Sequence, residues 1–261
     1  MTEMTAQTGH PRFWQLDALR GAALLNMLAY HALYDWVYVF GRPSGWYDIA
    51  APGCHVWQQY ICWSFLLISG FSFALSKKAL RHGLVTGVCA LVLTAVTVLV
   101  MPEEQILFGV LHLDACAILL TVLLRPALDR LPAGAGLAGA ALLFALTNQL
   151  PYGYLGFEGL HLFALPQGLY TPNWFWLGFP DLTRFYSADY FPLLPWLFLF
   201  WCGYFAYRCL APRLGGYTPG KAPSALRPLC AVGGRTLLIY MLHQPVIYGV
   251  LLLADRFLPS L

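Results

Sequence analysis

Three histidines, His31, His112 and His243, stand in stretches that are otherwise apolar, and each has polar company nearby in sequence. An imidazole can take and return a proton near neutral pH, so each is a candidate general base. His31 occurs in Tyr30-His31-Ala32-Leu33-Tyr34-Asp35. On a helix Asp35 lies one turn beyond it on the same face, where a carboxylate can accept the ring N–H, set the tautomer and raise the basicity. Arg20 precedes His31 by eleven residues, three turns or about 16 Å of helix, with Asp17 one turn from it. The pattern predicts a base at mid-depth with a cation near one mouth. His112 occurs in Gly109-Val110-Leu111-His112-Leu113-Asp114, and His243 in Tyr240-Met241-Leu242-His243-Gln244-Pro245. Pro245 has no N–H to donate, which frees the Met241 carbonyl and favours a kink where polar partners lie close. Ionisable groups inside membrane spans are costly and mark function. The plainer alternative is a polar cluster that only fastens helices, and for His112 and His243 the two readings weigh about equally.

Other chemistries leave no trace. There is no GxSxG elbow, and Ser69, Gly70 and Ser72 fit close helix packing better than nucleophilic catalysis. The seven cysteines show no metal-type CxxC spacing, so no metal is expected, and they read as small apolar packing residues. No basic tract interleaved with aromatics points to nucleic acid. Glu158, His161, Asp181 and Asp189 read as solvated loop residues, with contact to an outer substrate as the alternative.

The elements that must hold these side chains follow from composition. Of the 261 residues 59% are hydrophobic and only 10% charged, against about 25% charged in soluble domains. So few charges cannot coat a water-facing globule of this size. The apolar runs are long and unbroken, which excludes a β-barrel and predicts an all-α polytopic transmembrane bundle in a lipid bilayer. Seven stretches reach roughly the 20 residues a span needs: Leu16–Val39, Val56–Leu75, Leu84–Met101, Ile106–Leu124, Gly134–Leu150, Tyr190–Leu210 and Leu229–Leu253. Residues 151–189, rich in aromatics, Pro and Gly, are expected to add short re-entrant or interfacial helices. The whole of 1–261 reads as one transmembrane domain, with residues 1–15 a cytoplasmic polar tail lacking the pattern of a cleaved signal.

Basic residues orient the spans. Arg12, Arg20, Lys77, Lys78, Arg81, Arg125, Arg130, Arg208, Arg213, Lys221, Arg227 and Arg235 fall on one side, 12 of the 15 Lys and Arg. Only Arg42, Arg184 and Arg256 fall on the other. The N-terminus is therefore expected in the cytoplasm and the C-terminus outside.

The block Leu16-Asp17-Ala18-Leu19-Arg20-Gly21, followed by Tyr30-His31 and Tyr34-Asp35, resembles the opening of bacterial members of the heparan-alpha-glucosaminide N-acetyltransferase-like family. Gly109-Val110-Leu111-His112, Asp189-Tyr190-Phe191-Pro192-Leu193-Leu194-Pro195-Trp196 and Gly234-Arg235 through His243-Gln244-Pro245 resemble its later blocks. The spacing from Arg20 to His31 also looks like the hallmark of acyltransferase-3 membrane enzymes. The resemblance implies an acyltransferase of the bacterial inner membrane, with acetyl-CoA or another acyl-CoA as cytoplasmic donor and a sugar or glycan acceptor beyond the membrane. It carries the catalytic histidine onto His31 and the matching arginine onto Arg20. The animal members are longer, and their luminal histidine has no match in context here.

Acyl transfer needs a base for the acceptor proton, a donor to the oxyanion and exclusion of water. His31, Asp35, His112 and His243 are the expected catalytic set, and Arg20, Lys77, Lys78, Arg81 and Arg235 the expected contacts to CoA phosphates. Positive-inside bias explains those charges equally well. Three rival classes remain: a proton-coupled small-molecule transporter, a b-type cytochrome with two of the three histidines on haem, and a structural membrane protein. Homo-oligomerisation stays open.

Overall fold

The computed structural model describes residues 13–214 and 220–257. Most of the expected polar tail, Arg12 included, lies outside the described residues. The protein is mostly helical: α1 Trp14–Tyr34, α2 Pro52–Leu75, α3 Ala79–Val100, α4 Val110–Leu128, α5 Ala133–Thr147, α6 Leu193–Leu214, α7 Arg227–Gly233 and α8 Thr236–Phe257. The first six expected spans overlap α1 to α6 in order, whereas the seventh, Leu229–Leu253, is broken at Gly234-Arg235 into the end of α7 and most of α8. The count of seven spans is not matched, however. Among the described residues five helices are long and apolar enough to cross a membrane: α3, α4, α5 with its continuation to Tyr152, α6 and α8. Asp17, Arg20, Asn26 and His31 lower the mean hydropathy of α1, and His55, Gln58, Gln59 and Ser64 that of α2. On α3 and α8 large apolar side chains such as Leu91, Leu99, Leu238 and Val250 are exposed. Water would not favour such faces, whereas lipid does. The chain is an integral membrane protein.

Residues 151–189 depart from the expected short helices. Beyond single 3₁₀ turns at Leu150–Tyr152 and Gln167–Leu169, they form an antiparallel hairpin of β1 Tyr154–Phe157 and β2 Leu160–Ala164. Glycines decide this. The two-residue turn has positive φ at both Glu158 (42°) and Gly159 (79°), the condition for a tight hairpin that follows the strand twist. At Gly156, φ is 148° and a Cβ would stand 1.8 Å from the Leu160 carbonyl oxygen.

The chain divides into two compact units, Met1–Ile61 with Arg213–Leu261, and Cys62–Pro212. In the first, α1 and α7 touch backbone to backbone. A Cβ on Gly233 would stand 1.8 Å from the Asp17 carbonyl oxygen, and one on Gly21 2.2 Å from that of Leu229. Small residues let helices approach this closely, and that contact fixes the N-terminal half of α1. Arg42 donates to Asp255 from Nε at 3.1 Å and Nη2 at 2.5 Å, tying the loop after α1 to the end of α8.

In the second unit the expected close packing around Gly70 is found. A Cβ there would stand 1.9 Å from the Phe200 carbonyl oxygen, and one on Gly203 2.1 Å from that of Leu67, so α2 and α6 mesh reciprocally. Around that seam Leu66, Phe73, Leu113, Phe144, Trp196, Phe200, Tyr204 and Phe205 form an apolar core. The far end of α4 is capped from α6. Arg208 donates to the Leu128 carbonyl at 2.8 Å and the Asp129 carbonyl at 3.0 Å, satisfying oxygens the helix leaves unpaired.

Candidate active site

The first unit brings together the polar residues of α1 and α8. His31, near the end of α1, meets His243 edge to face with ring centroids 4.8 Å apart. One turn further along, α1 passes into a π-helical turn, Asp35–Val39, in which the Phe40 N–H reaches back to the Asp35 carbonyl at 2.9 Å. Such turns are rare and recur at functional sites. It opens at Asp35, whose carboxylate is fully buried. Gln244 Nε2 lies 2.8 Å from both of its oxygens. The structure thus gives Asp35 an amide on α8 as a partner, where the spacing alone pointed to the His31 ring. Aromatic rings wall the site: Tyr30 lies 6.3 Å from His31, 5.3 Å from Trp57 and 5.6 Å from Tyr47. The Tyr47 hydroxyl donates to the Tyr30 carbonyl at 3.3 Å, and Trp57 Nε1 donates to Asn26 Oδ1 at 3.0 Å. Burial, with Tyr30 beside it, raises the pKa of the loop residue Tyr47, so its hydroxyl stays protonated.

Hydrogen-bond polarity fixes the state of His243. Its Nδ1 lies 2.5 Å from the Tyr240 carbonyl oxygen. A carbonyl only accepts, so Nδ1 carries the hydrogen and Nε2 of the neutral ring keeps a lone pair. That Nε2 is buried and has no hydrogen-bond partner among the described residues; the same holds for Gln244 Oε1. Leaving a buried acceptor unpaired costs about 1–3 kcal/mol. Two such atoms lie on successive residues of α8, the helix that carries His243 against His31, and both can accept a hydrogen bond from a ligand. Helix α8 runs through Pro245 as one element.

His112 has a different setting, in the second unit. The Gly109 N–H donates to its Nδ1 at 3.2 Å, so Nε2 of the neutral ring carries the hydrogen. Nε2 lies 3.0 Å from Thr94 Oγ1, and that hydroxyl donates to the Ile106 carbonyl at 2.6 Å. Both ring nitrogens are thus occupied in closing the N-terminus of α4, as in a capping box. The Val110 N–H beside it donates to Asp189 Oδ2 at 3.2 Å. Burial pushes the Asp189 carboxyl up to about 6, against the opposing pull of that N–H. The remaining loop candidates are also engaged locally. His161 stacks on Tyr154 at 3.9 Å. Asp181 accepts from the Thr183 hydroxyl and N–H, which hold its carboxyl below the usual range.

Of the expected phosphate contacts, Arg20 and Arg235 belong to the first unit. Arg20 is ion-paired to Asp17 at 2.9 Å, and Arg235 is exposed just before α8. Lys77 and Lys78, between α2 and α3, and Arg81, in the first turns of α3, are exposed in the second unit. Among the described residues no three of His, Cys, Asp and Glu converge as a metal site. The haem alternative does not fit the His31–His243 pair: rings in edge-to-face contact leave no space for a macrocycle between them.

The sequence model of the catalytic region of heparan-alpha-glucosaminide N-acetyltransferase matches residues 12–245. The chain belongs to that family. No curated protein and no solved structure matches it. For this member of the acetyltransferase family, the matched region takes in α1, the π turn and α8 as far as Pro245, and so every side chain of the His31–His243 seam. Gln244 is the member of that seam whose role the sequence did not suggest. Its signal was an amide lodged in an apolar helix between a histidine and a proline, the kind of buried polar group that needs a partner.

Proposed function

We propose that the protein transfers an acetyl group from cytoplasmic acetyl-CoA to a sugar or glycan acceptor at or beyond the outer face of the bacterial inner membrane. The observation that carries this reading is the His31–His243 contact within a chain of an N-acetyltransferase family. In this mechanism His243 Nε2, which keeps its lone pair, takes the proton of the acceptor group as the acceptor's own lone pair attacks the thioester carbonyl. The new bond to the acyl carbon forms, the carbon–sulfur bond breaks, and the imidazolium returns the proton to the CoA thiolate. His31, the second ring, donates an N–H to the oxyanion. Asp35 acts through Gln244, holding that amide in one orientation. His112 closes the N-terminus of α4 and moves no proton.

For the donor, Arg20 and Arg235 of the first unit attract the CoA phosphates on the cytoplasmic side; Lys77, Lys78 and Arg81, in the second unit, are the other basic candidates. The charge bias of the loops supports an N-terminus inside and a C-terminus outside. Three turns of α1 between Arg20 and His31, about 16 Å, suit the length of a pantetheine arm. The test is acetyl transfer from labelled acetyl-CoA in proteoliposomes. His31→Ala should lower kcat by about 10²–10³-fold, the usual contribution of an oxyanion donor, with membrane insertion and Tm in detergent retained. Full activity in that variant overturns the assignment.

A further inference from the structure

The mechanism above uses His243 and leaves the other unpaired atom of the seam, Gln244 Oε1, without a task. Gln244 turns its amino group to Asp35. Nε2 lies 2.8 Å from both carboxylate oxygens, which only accept, so the amide cannot turn over without giving up that contact. Its Oε1 is therefore held as an acceptor, buried and unpartnered among the described residues. His243 Nε2, on the preceding residue, is an acceptor for an independent reason, the Tyr240 carbonyl on its other nitrogen. The two side chains cross to α1 one turn apart, His243 to His31 and Gln244 to Asp35. The seam thus offers two fixed acceptors and, beside them, a buried carboxylate.

We infer that Gln244 is the residue that selects the acceptor group, because with His243 it asks for two donor hydrogens on the reacting atom. This rests on the acetyltransferase reading and sharpens it. A neutral primary amine meets the demand: one N–H goes to His243 Nε2, the other to Gln244 Oε1, and the nitrogen lone pair stays free for the thioester carbon. As the nitrogen–carbon bond forms and the carbon–sulfur bond breaks, the first of those hydrogens passes to His243 Nε2 and then to the thiolate. A hydroxyl has one hydrogen. It can satisfy His243 only by leaving Gln244 Oε1 unpaired in a buried site, and sites built around a hydrogen bond discriminate strongly against the group that cannot make it. The Asp35 clamp sets the sign of this selection. With an amide in place of the carboxylate, Gln244 can turn over, accept from the new NH₂ and present its own NH₂ to the acceptor instead.

The experiment compares glucosamine and glucose, which differ at one position by amine against hydroxyl, as acceptors in proteoliposomes with acetyl-CoA. The expected result is a kcat/KM ratio favouring the amine, reduced by about tenfold or more in Gln244→Leu and again in Asp35→Asn. Asp35→Asn keeps the shape and a hydrogen-bonded clamp, so it answers the question even if Gln244→Leu fails to fold. An unchanged ratio in Asp35→Asn overturns the inference. Binding gives a readout that needs no turnover: n-butylamine should raise Tm in detergent more than n-butanol, and Asp35→Asn should erase that difference. If neither sugar is acetylated but the amine-specific shift appears and is lost in the variant, the acetyltransferase reading falls and the role of Gln244 stands. If no amine-specific shift appears in the parent protein, the role of Gln244 falls.

Discussion

His112 and His243 look alike in sequence, each a histidine on an apolar helix, and their Nδ1 atoms both meet the backbone. The polarity of that meeting is opposite. At His112 an N–H of Gly109 donates to Nδ1, which sends the ring hydrogen to Nε2 and into the Thr94 hydroxyl. At His243 the Tyr240 carbonyl takes the Nδ1 hydrogen, which leaves Nε2 with a lone pair and no partner among the described residues. One ring is consumed by its helix and the other is held ready by it. The cost of placing an ionisable group in an apolar helix does not by itself tell function from capping. What separates them is whether the backbone gives the ring a hydrogen or takes one.

The sharpest way to break this contrast is to remove each ring in turn. His243→Ala should cost about 10²–10⁴-fold in kcat, with little change in Tm, since it removes an unpaired acceptor. His112→Ala should do the reverse, lowering Tm in detergent while acetyl transfer per folded molecule stays within a few-fold. Equal losses of kcat in the two variants would erase the distinction.

The α4 terminus closed by His112 carries a second signature, in pH. Asp189 ionises near pH 4 in an unfolded chain and at about 6 in the fold. Between those values the unfolded state has released a proton that the folded state keeps. Stability from this group is therefore greatest below pH 4 and declines as pH rises through 6, by up to about 3 kcal/mol. Asp189→Asn can still accept from Val110 and carries no charge, so its Tm should stay level over that range and exceed the parent's at pH 7. A parent Tm that rises between pH 4 and pH 6, or an unchanged slope in the variant, would contradict the buried carboxylate.

The contrast also marks how far the sequence could be read. Hydropathy located every long helix, because apolar runs of that length have few other solutions. It also brought His31, Asp35 and His243 forward, because ionisable groups in such runs stand out. It could not pair α1 with α8. Gln244 and Asp35 are 209 residues apart, and nothing within either segment names the other. The i to i+4 spacing of His31 and Asp35 suggested a local pair, but a π turn begins at Asp35 and the carboxylate goes to α8. Capping by His112 was equally hidden, since Glu or Gln is the usual residue three places into a helix. The hairpin is legible in the two-residue Glu-Gly turn that Tyr154–Phe157 and Leu160–Ala164 flank, whereas the aromatic, Pro- and Gly-rich composition of the stretch favours re-entrant or interfacial helices.

The smallest effect tests the capping half of the contrast at its partner rather than at the ring. Thr94 uses one hydroxyl twice, accepting from His112 Nε2–H and donating to the Ile106 carbonyl. Thr94→Val keeps the shape and removes both contacts, at a cost of about 1–2 kcal/mol in Tm-derived stability. Thr94→Ser should restore most of it, because the hydroxyl alone matters. Neither variant should alter the pH dependence of kcat, since His112 supplies no proton in the reaction. A shifted pH–rate profile in Thr94→Val, with Thr94→Ser restoring it, would instead make His112 a ring whose protonation the enzyme uses, and the two histidines would no longer differ in kind.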